Sequence, residues 1–188
     1  VGFVGAIGAA TNGLVKKNAR LVCLENSRSF PESPIGGGPI VRVGDRMTVF
    51  SPDLTNDISG LMMAHAADHS SFHWQRKLLA GGACEATAFS AFGFQSTCLC
   101  LPLGNYHNMA DLGAVQAGTN ESRPRVGREY VGVDDYFGMI DLLAACGLAG
   151  LMVPSMYLQI VKHLLIFYLG YALLYASIVL VGVRCVAP

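Results

Sequence analysis

Between residues 5 and 147 the chain alternates short apolar runs with stretches whose apolar positions recur every three to four residues. Residues 5–18, GAIGAATNGLVKKN, concentrate alanine and glycine and end on Lys16 and Lys17, as a short helix with cations at its C-terminus would. RLVCLE, 20–25, is an apolar run closed by an acid, the pattern of a buried strand ending at Glu25. GGGPIVRV, 36–43, is a glycine turn feeding a second strand. Ile58, Leu61, Met62 and Ala66 keep helical spacing within 55–69, with Thr55 or Asn56 as its cap. A strand over 72–79, a helix over 84–92, a strand over 96–103 and a closing amphipathic helix over 133–147 follow. This order predicts an α/β three-layer sandwich with a mixed central sheet, and places ligand chemistry at the carboxyl ends of strands.

The pattern then changes. Residues 164–183 are twenty positions without a charge, between Lys162 and His163 on one side and Arg184 on the other. A run of that length can cross a bilayer core of about 30 Å. The sequence therefore divides into a folded part, 1–147, and an apolar tail, 148–188, read as a long helix that spans a membrane over 164–183, against the alternatives of a buried C-terminal helix of the folded part or a segment from a shifted frame or mis-joined gene. The first residue is Val1, with no charged segment before the apolar opening, so no signal peptide is read there and a longer parent chain is expected.

Composition narrows the function classes. The 188 residues are 52% hydrophobic, which excludes disorder, and 13 basic and 13 acidic side chains cancel without a block of either sign. Nucleic acid is excluded as a partner on that ground. Six scattered cysteines with no C-x-x-C spacing read as reduced thiols in a cytoplasmic protein. Cys98 and Cys100 flank Leu99 and point to one face of a strand, which suits core packing better than metal binding.

Self-contained catalytic motifs are missing. His65, His69 and His73 recur every four residues, a spacing at which zinc accepts imidazoles on a continuous helix, but Ser70 and Ser71 end the helix before His73, which favours a helix edge and a strand start over a zinc site. No H-E-x-x-H, no G-x-S-x-G and no phosphate-loop ending after GGGP occurs. Cys84 opens a helix and could carry a lowered pKa there. Taken alone, His107 in PLGNYHNM, 102–109, is a loop histidine.

Two stretches change that reading. GGACEATAFSAFGFQSTCLCLPLGNYHN, 81–108, gives in order a glycine pair, an acid, a helix, an apolar strand, a proline and a histidine; LVCLEN, 21–26, precedes it. This order resembles the C-terminal half of the co-catalytic zinc aminopeptidases of the tetrahedral-aminopeptidase and glutamyl-aminopeptidase family. That family carries Gly-Gly-Thr-Asp-Ala and then Pro-x-Arg-Tyr-x-His, and Pro102 and His107 keep its five-residue step. VGFVGA, 1–6, matches the stretch that follows the family's paired glutamates. Gly104 and Asn105 stand where the family has Arg and Tyr, Glu25 replaces its usual Asp, and its acid after the glycine pair falls on Cys84 or Glu85.

The resemblance covers roughly residues 1–147 and implies a peptide-cleaving hydrolase with two divalent metal ions, zinc or else cobalt or manganese. Glu25 would serve one metal and His107 the other, with Glu85 or Cys84 behind them or against the substrate amine. The general base and remaining ligands would lie upstream of Val1, so the chain is expected to be inactive by itself and its parent to be a homo-oligomer. The competing expectation is a non-enzymatic, membrane-anchored α/β protein in which Glu25 and His107 are incidental.

Overall fold

The computed structural model describes residues 2–148; the apolar run 164–183 lies outside them. Among the described residues, five α-helices and four strands follow one another: α1 (Val4–Thr11), β1 (Arg20–Arg28), β2 (Ile40–Gly44), α2 (Pro52–Asp68), β3 (Gln75–Leu78), α3 (Glu85–Ala91), β4 (Gln95–Leu103), α4 (Leu112–Ala117) and α5 (Val133–Leu148). The four strands form one mixed sheet in the order β1-β4-β2-β3. β1 runs parallel to β4, and β2 parallel to β3, while β2 and β4 are antiparallel. Among the described residues, no helix is long and apolar enough to cross a membrane.

Side-chain alternation sends successive residues of β2 and β4 to opposite faces of the sheet and so to different helices. Val41, Leu99 and Leu101 pack with Leu54, Ile58 and Met62 of α2 and with Met139, Leu142 and Cys146 of α5. Each fully buried aliphatic among them contributes about 2 kcal/mol. Ile40, Cys98 and Cys100 turn the other way and meet Cys84 and Ala86 at the start of α3. Helices thus cover both faces, and β4, central and buried along nearly its whole length, supports both cores.

Several boundaries differ from those expected. α1 ends at Thr11, because Gly13 adopts a left-handed conformation (φ 68°), so Lys16 and Lys17 lie beyond it. α2 begins three residues earlier than expected: Ser51 caps it, its Oγ accepting from Leu54 N at 3.5 Å, and Pro52 occupies the first turn, where a missing N–H costs nothing. β1 continues past Glu25 to Arg28, as parallel pairing with β4 reaches Arg28 and Leu103. Glu25 therefore sits inside the strand, about 10 Å short of its end. His69 is the C-terminal cap of α2, and its ring stacks on His65 at 4.2 Å; the helix stops before His73.

The GGGP segment is a turn, and its fixing residue is distant in sequence. Gly36 N donates to Asp135 Oδ2 at 2.8 Å and Gly38 N to Asp135 Oδ1 at 2.7 Å. Asp135 is buried (1% exposed) in the first turn of α5, so one carboxylate joins that helix to the entry of β2.

Candidate metal centre

The face of the sheet beneath α3 holds most of the polar chemistry of the fold. Strand parity puts Cys23 and Glu25 of β1 on this face, level with Cys98 and Cys100 of β4. Arg42 of β2 lies opposite Cys98 on the other side of β4. Cys84, the residue that caps α3, closes the group from above and is buried. The backbone N–H of Cys84 donates to Thr87 Oγ1 at 3.4 Å, and Thr87 in turn donates to the buried Asp45.

One oxygen of Glu25 and the sulfurs of Cys84 and Cys98 lie within 4.8 Å of one another, the one cluster of three metal-capable side chains found among the described residues. Cys98 Sγ and Cys100 Sγ are 3.9 Å apart. Arg42 Nη1 donates to Glu25 Oε1; the Arg42 side chain is 2% exposed and that of Glu25 22%. Arg42 Nη2 is buried and has no hydrogen-bond partner among the described residues.

Burial raises the Glu25 carboxyl above the usual carboxylate range, and it outweighs the opposing pull of Arg42. The Arg42 guanidinium is held charged: desolvation works against it, but the neighbouring Cys100, Cys98 and Glu25 prevail. Contact with Cys100 and Cys84, and then burial, raises the Cys98 thiol, while contact with Cys98 lowers the thiols of Cys84 and Cys100. Cys23 is pushed up to about 12, first by burial and then by the charges of Cys84, Glu85 and Glu25.

Of the four residues expected from sequence, the structure joins Glu25 and Cys84 in one cluster and places Glu85 and His107 outside it. Glu85 is the exposed first residue of α3, near enough for its charge to raise the Glu25 pKa. His107 is exposed and follows β4 in the short turn Tyr106–Asn108, with a left-handed backbone (φ 60°). Its ring meets that of Tyr106 edge-on at 4.1 Å. The Tyr106 hydroxyl is raised by burial and then by the charge of Glu25, which ties His107's immediate neighbour to the same field. His107 also lines a cavity of about 290 Å³ with Arg28, Phe30, Gly82 and Gln116. Because β1 and β4 are parallel neighbours, this cavity opens where both strands end.

Sequence reasoning missed Arg42, and it favoured packing over metal binding for Cys98 and Cys100, which do lie in the core. A signal was present: Arg42 interrupts PIVRV, and a cation inside a buried strand requires a buried partner.

No protein-family model matches the chain, and no curated protein matches it. Solved structures do. PhTET1-12s, a dodecamer, superposes with a TM-score of 0.56 at 18% identity, over 78% of this chain and 38% of its own. The TET aminopeptidase of a marine-sediment Thaumarchaeota archaeon gives 0.55 at 16%, over 77% and 36%. The aminopeptidase of Desulfurococcus kamchatkensis gives 0.55 at 15%, over 77% and 37%. At these identities the likeness is one of fold: a mixed α/β sheet of the kind found in these aminopeptidases. The chain spans less than two fifths of the length of each.

Proposed function

We propose that this chain is the C-terminal part of the catalytic domain of a metal-dependent aminopeptidase, inactive alone, with Glu25 and His107 as ligands for two divalent ions. The observation that carries this is the pairing of β1 with β4 within an aminopeptidase-like fold. Two hydrogen-bonded parallel strands put a carboxylate within one and an imidazole just beyond the end of the other, in a fold like that of the aminopeptidase structures.

The donor set suits zinc, which takes imidazole nitrogen and carboxylate oxygen, with cobalt or manganese as substitutes. Two such ions would supply an activated water and polarise a scissile carbonyl. Arg42 holds Glu25 at Oε1, which sets the direction of the carboxylate and leaves Oε2 for a ligand. The Tyr106 ring meets that of His107 edge-on. The exposed Glu85 at the head of α3 would receive the amino terminus of a peptide by charge. The general base and the other ligands would come from the parent protein, which we propose to be a homo-oligomer in keeping with the dodecamer formed by PhTET1-12s.

In the intact parent, His107→Ala should reduce hydrolysis of aminoacyl-anilides by at least about 100-fold, since even outer-sphere partners of a metal site are worth about 10 to 100-fold. Unchanged hydrolysis would remove this reading.

A further inference from the structure

We infer that Cys84, Cys98 and Glu25 form a second metal site, one that binds a single thiophilic divalent ion and fastens α3 to β1 and β4. It shares Glu25 with the aminopeptidase reading but does not rest on it.

Three observations converge. The first is spacing. Tetrahedral zinc with Zn–S bonds of about 2.3 Å separates two sulfur ligands by about 3.8 Å. The three donor atoms lie within 4.8 Å of one another, close enough for one ion to draw together. A disulfide needs sulfurs about 2.05 Å apart, whereas Cys84 and Cys98 are both free thiols.

The second is charge. A buried divalent ion with two thiolates and one carboxylate carries one excess negative charge, and burying it uncompensated is costly. Arg42 supplies the missing positive charge from the next strand but one, its side chain 2% exposed. Its Nη2 has no partner in the described structure. An anionic thiolate centre beneath it would satisfy that N–H.

The third is placement. Cys84 comes from the head of α3, Cys98 from the central strand and Glu25 from its neighbour. The ion would link three elements whose contacts on this face otherwise rest on small side chains such as Ala86. Cys84 and Cys98 are buried, whereas Glu25 is partly exposed, so an ion enters past the carboxylate. Coordination replaces two S–H protons, which leave to solvent, and no electron is transferred.

Cobalt(II) titration of the reduced full-length chain tests this, because thiolate-bound cobalt shows intense near-ultraviolet charge-transfer absorption that carboxylate or imidazole ligands do not give. The expected result is one cobalt per chain with that band, displaced by zinc. Cys84→Ala and Cys98→Ala should each weaken binding by at least tenfold, while His107→Ala and Cys146→Ala retain the band. If Cys98→Ala fails to fold by circular dichroism, the wild-type spectrum and Cys84→Ala decide the matter. Absence of the band in the wild-type chain, its survival in Cys84→Ala, or its loss in His107→Ala would each overturn the assignment. The aminopeptidase reading fails separately, on hydrolysis by the parent surviving His107→Ala.

Discussion

The carboxylate of Glu25 and the guanidinium of Arg42 meet across a strand that belongs to neither: β4 runs between β1 and β2, and the ion pair spans it above Cys98 and Cys100. Strands two places apart are about 9.5 Å from each other, so only two long side chains on the same face can join them.

The pair is asymmetric, and so are the effects of breaking it. Glu25→Gln leaves a guanidinium that is 2% exposed without its counter-charge, and arginine cannot lose its proton; a loss of about 3 kcal/mol or more is expected. Arg42→Met keeps the packing volume and leaves a carboxylate that is 22% exposed and free to protonate or turn to water, so its cost should be smaller. Urea denaturation of the two variants at neutral pH checks the order. A larger loss for Arg42→Met would show that the arginine acts through packing and not as the buried charge.

Much of this arrangement follows from patterns that can be read in the sequence. The alternation of Cys98, Leu99, Cys100 and Leu101 fixes which residues share a face, and the helical spacing of Ile58 and Met62 fixes α2. Two kinds of information were not legible. Strand order is one: nothing local places β4 between β1 and β2, and without that order neither the Glu25–Arg42 pair nor the Glu25–Cys84–Cys98 cluster can be foreseen. Element ends are the other. Glu25 reads as the end of a strand because an acid closes an apolar run, yet pairing with the long β4 carries β1 three residues further. The resemblance that singled out Glu25 and His107 correctly anticipated an aminopeptidase-like fold, but spacing in sequence could not show that Cys84 would stand with Glu25 while His107 stayed apart from that cluster.

The Asp135 carboxylate gives a second test. It accepts from Gly36 N and Gly38 N, at 2.8 and 2.7 Å, and it is 1% exposed. Hydrogen bonds to a charged acceptor are worth about 1.5–3 kcal/mol each, and unpaired buried donors carry a full desolvation penalty. Asp135→Ala should therefore destabilise by about 3–5 kcal/mol. Asp135→Asn, which retains one acceptor oxygen, should lose less. Equal losses in thermal denaturation would mean that only the side-chain volume matters there.

The two glycines bound to Asp135 should respond differently to the same substitution. Both have φ of 87°. A Cβ at Gly36 meets nothing within 4 Å, so Gly36→Ala carries only the left-handed penalty, about 1–2 kcal/mol. At Gly38 the Cβ would fall 1.9 Å from His73 O and 2.4 Å from His73 C, backbone atoms that cannot step aside without unpairing β2 from β3. Gly38→Ala should cost at least about 3 kcal/mol more than Gly36→Ala. Soluble expression and urea midpoints of the two variants compare them directly, and near-equal values would contradict the close approach.

Alkaline pH should weaken the fold through its thiols. Burial, followed by the charges of Cys84, Glu85 and Glu25, pushes Cys23 up to about 12, and burial pushes Cys146 up to about 11, both from an ordinary 9.0. A folded-state pKa above the unfolded value means that the folded chain holds its proton more tightly. Stability from these groups is therefore complete below about pH 9 and is lost as pH rises through about 11 for Cys146 and about 12 for Cys23. The urea midpoint should be flat from neutral pH to about 8.5 and then fall steadily across that window. In the Cys23→Ala, Cys146→Ala double variant the fall between about pH 8 and about pH 11 should be distinctly shallower, although its starting midpoint is lower for lost packing. A fall as steep as in the wild type would assign the alkaline loss to other groups.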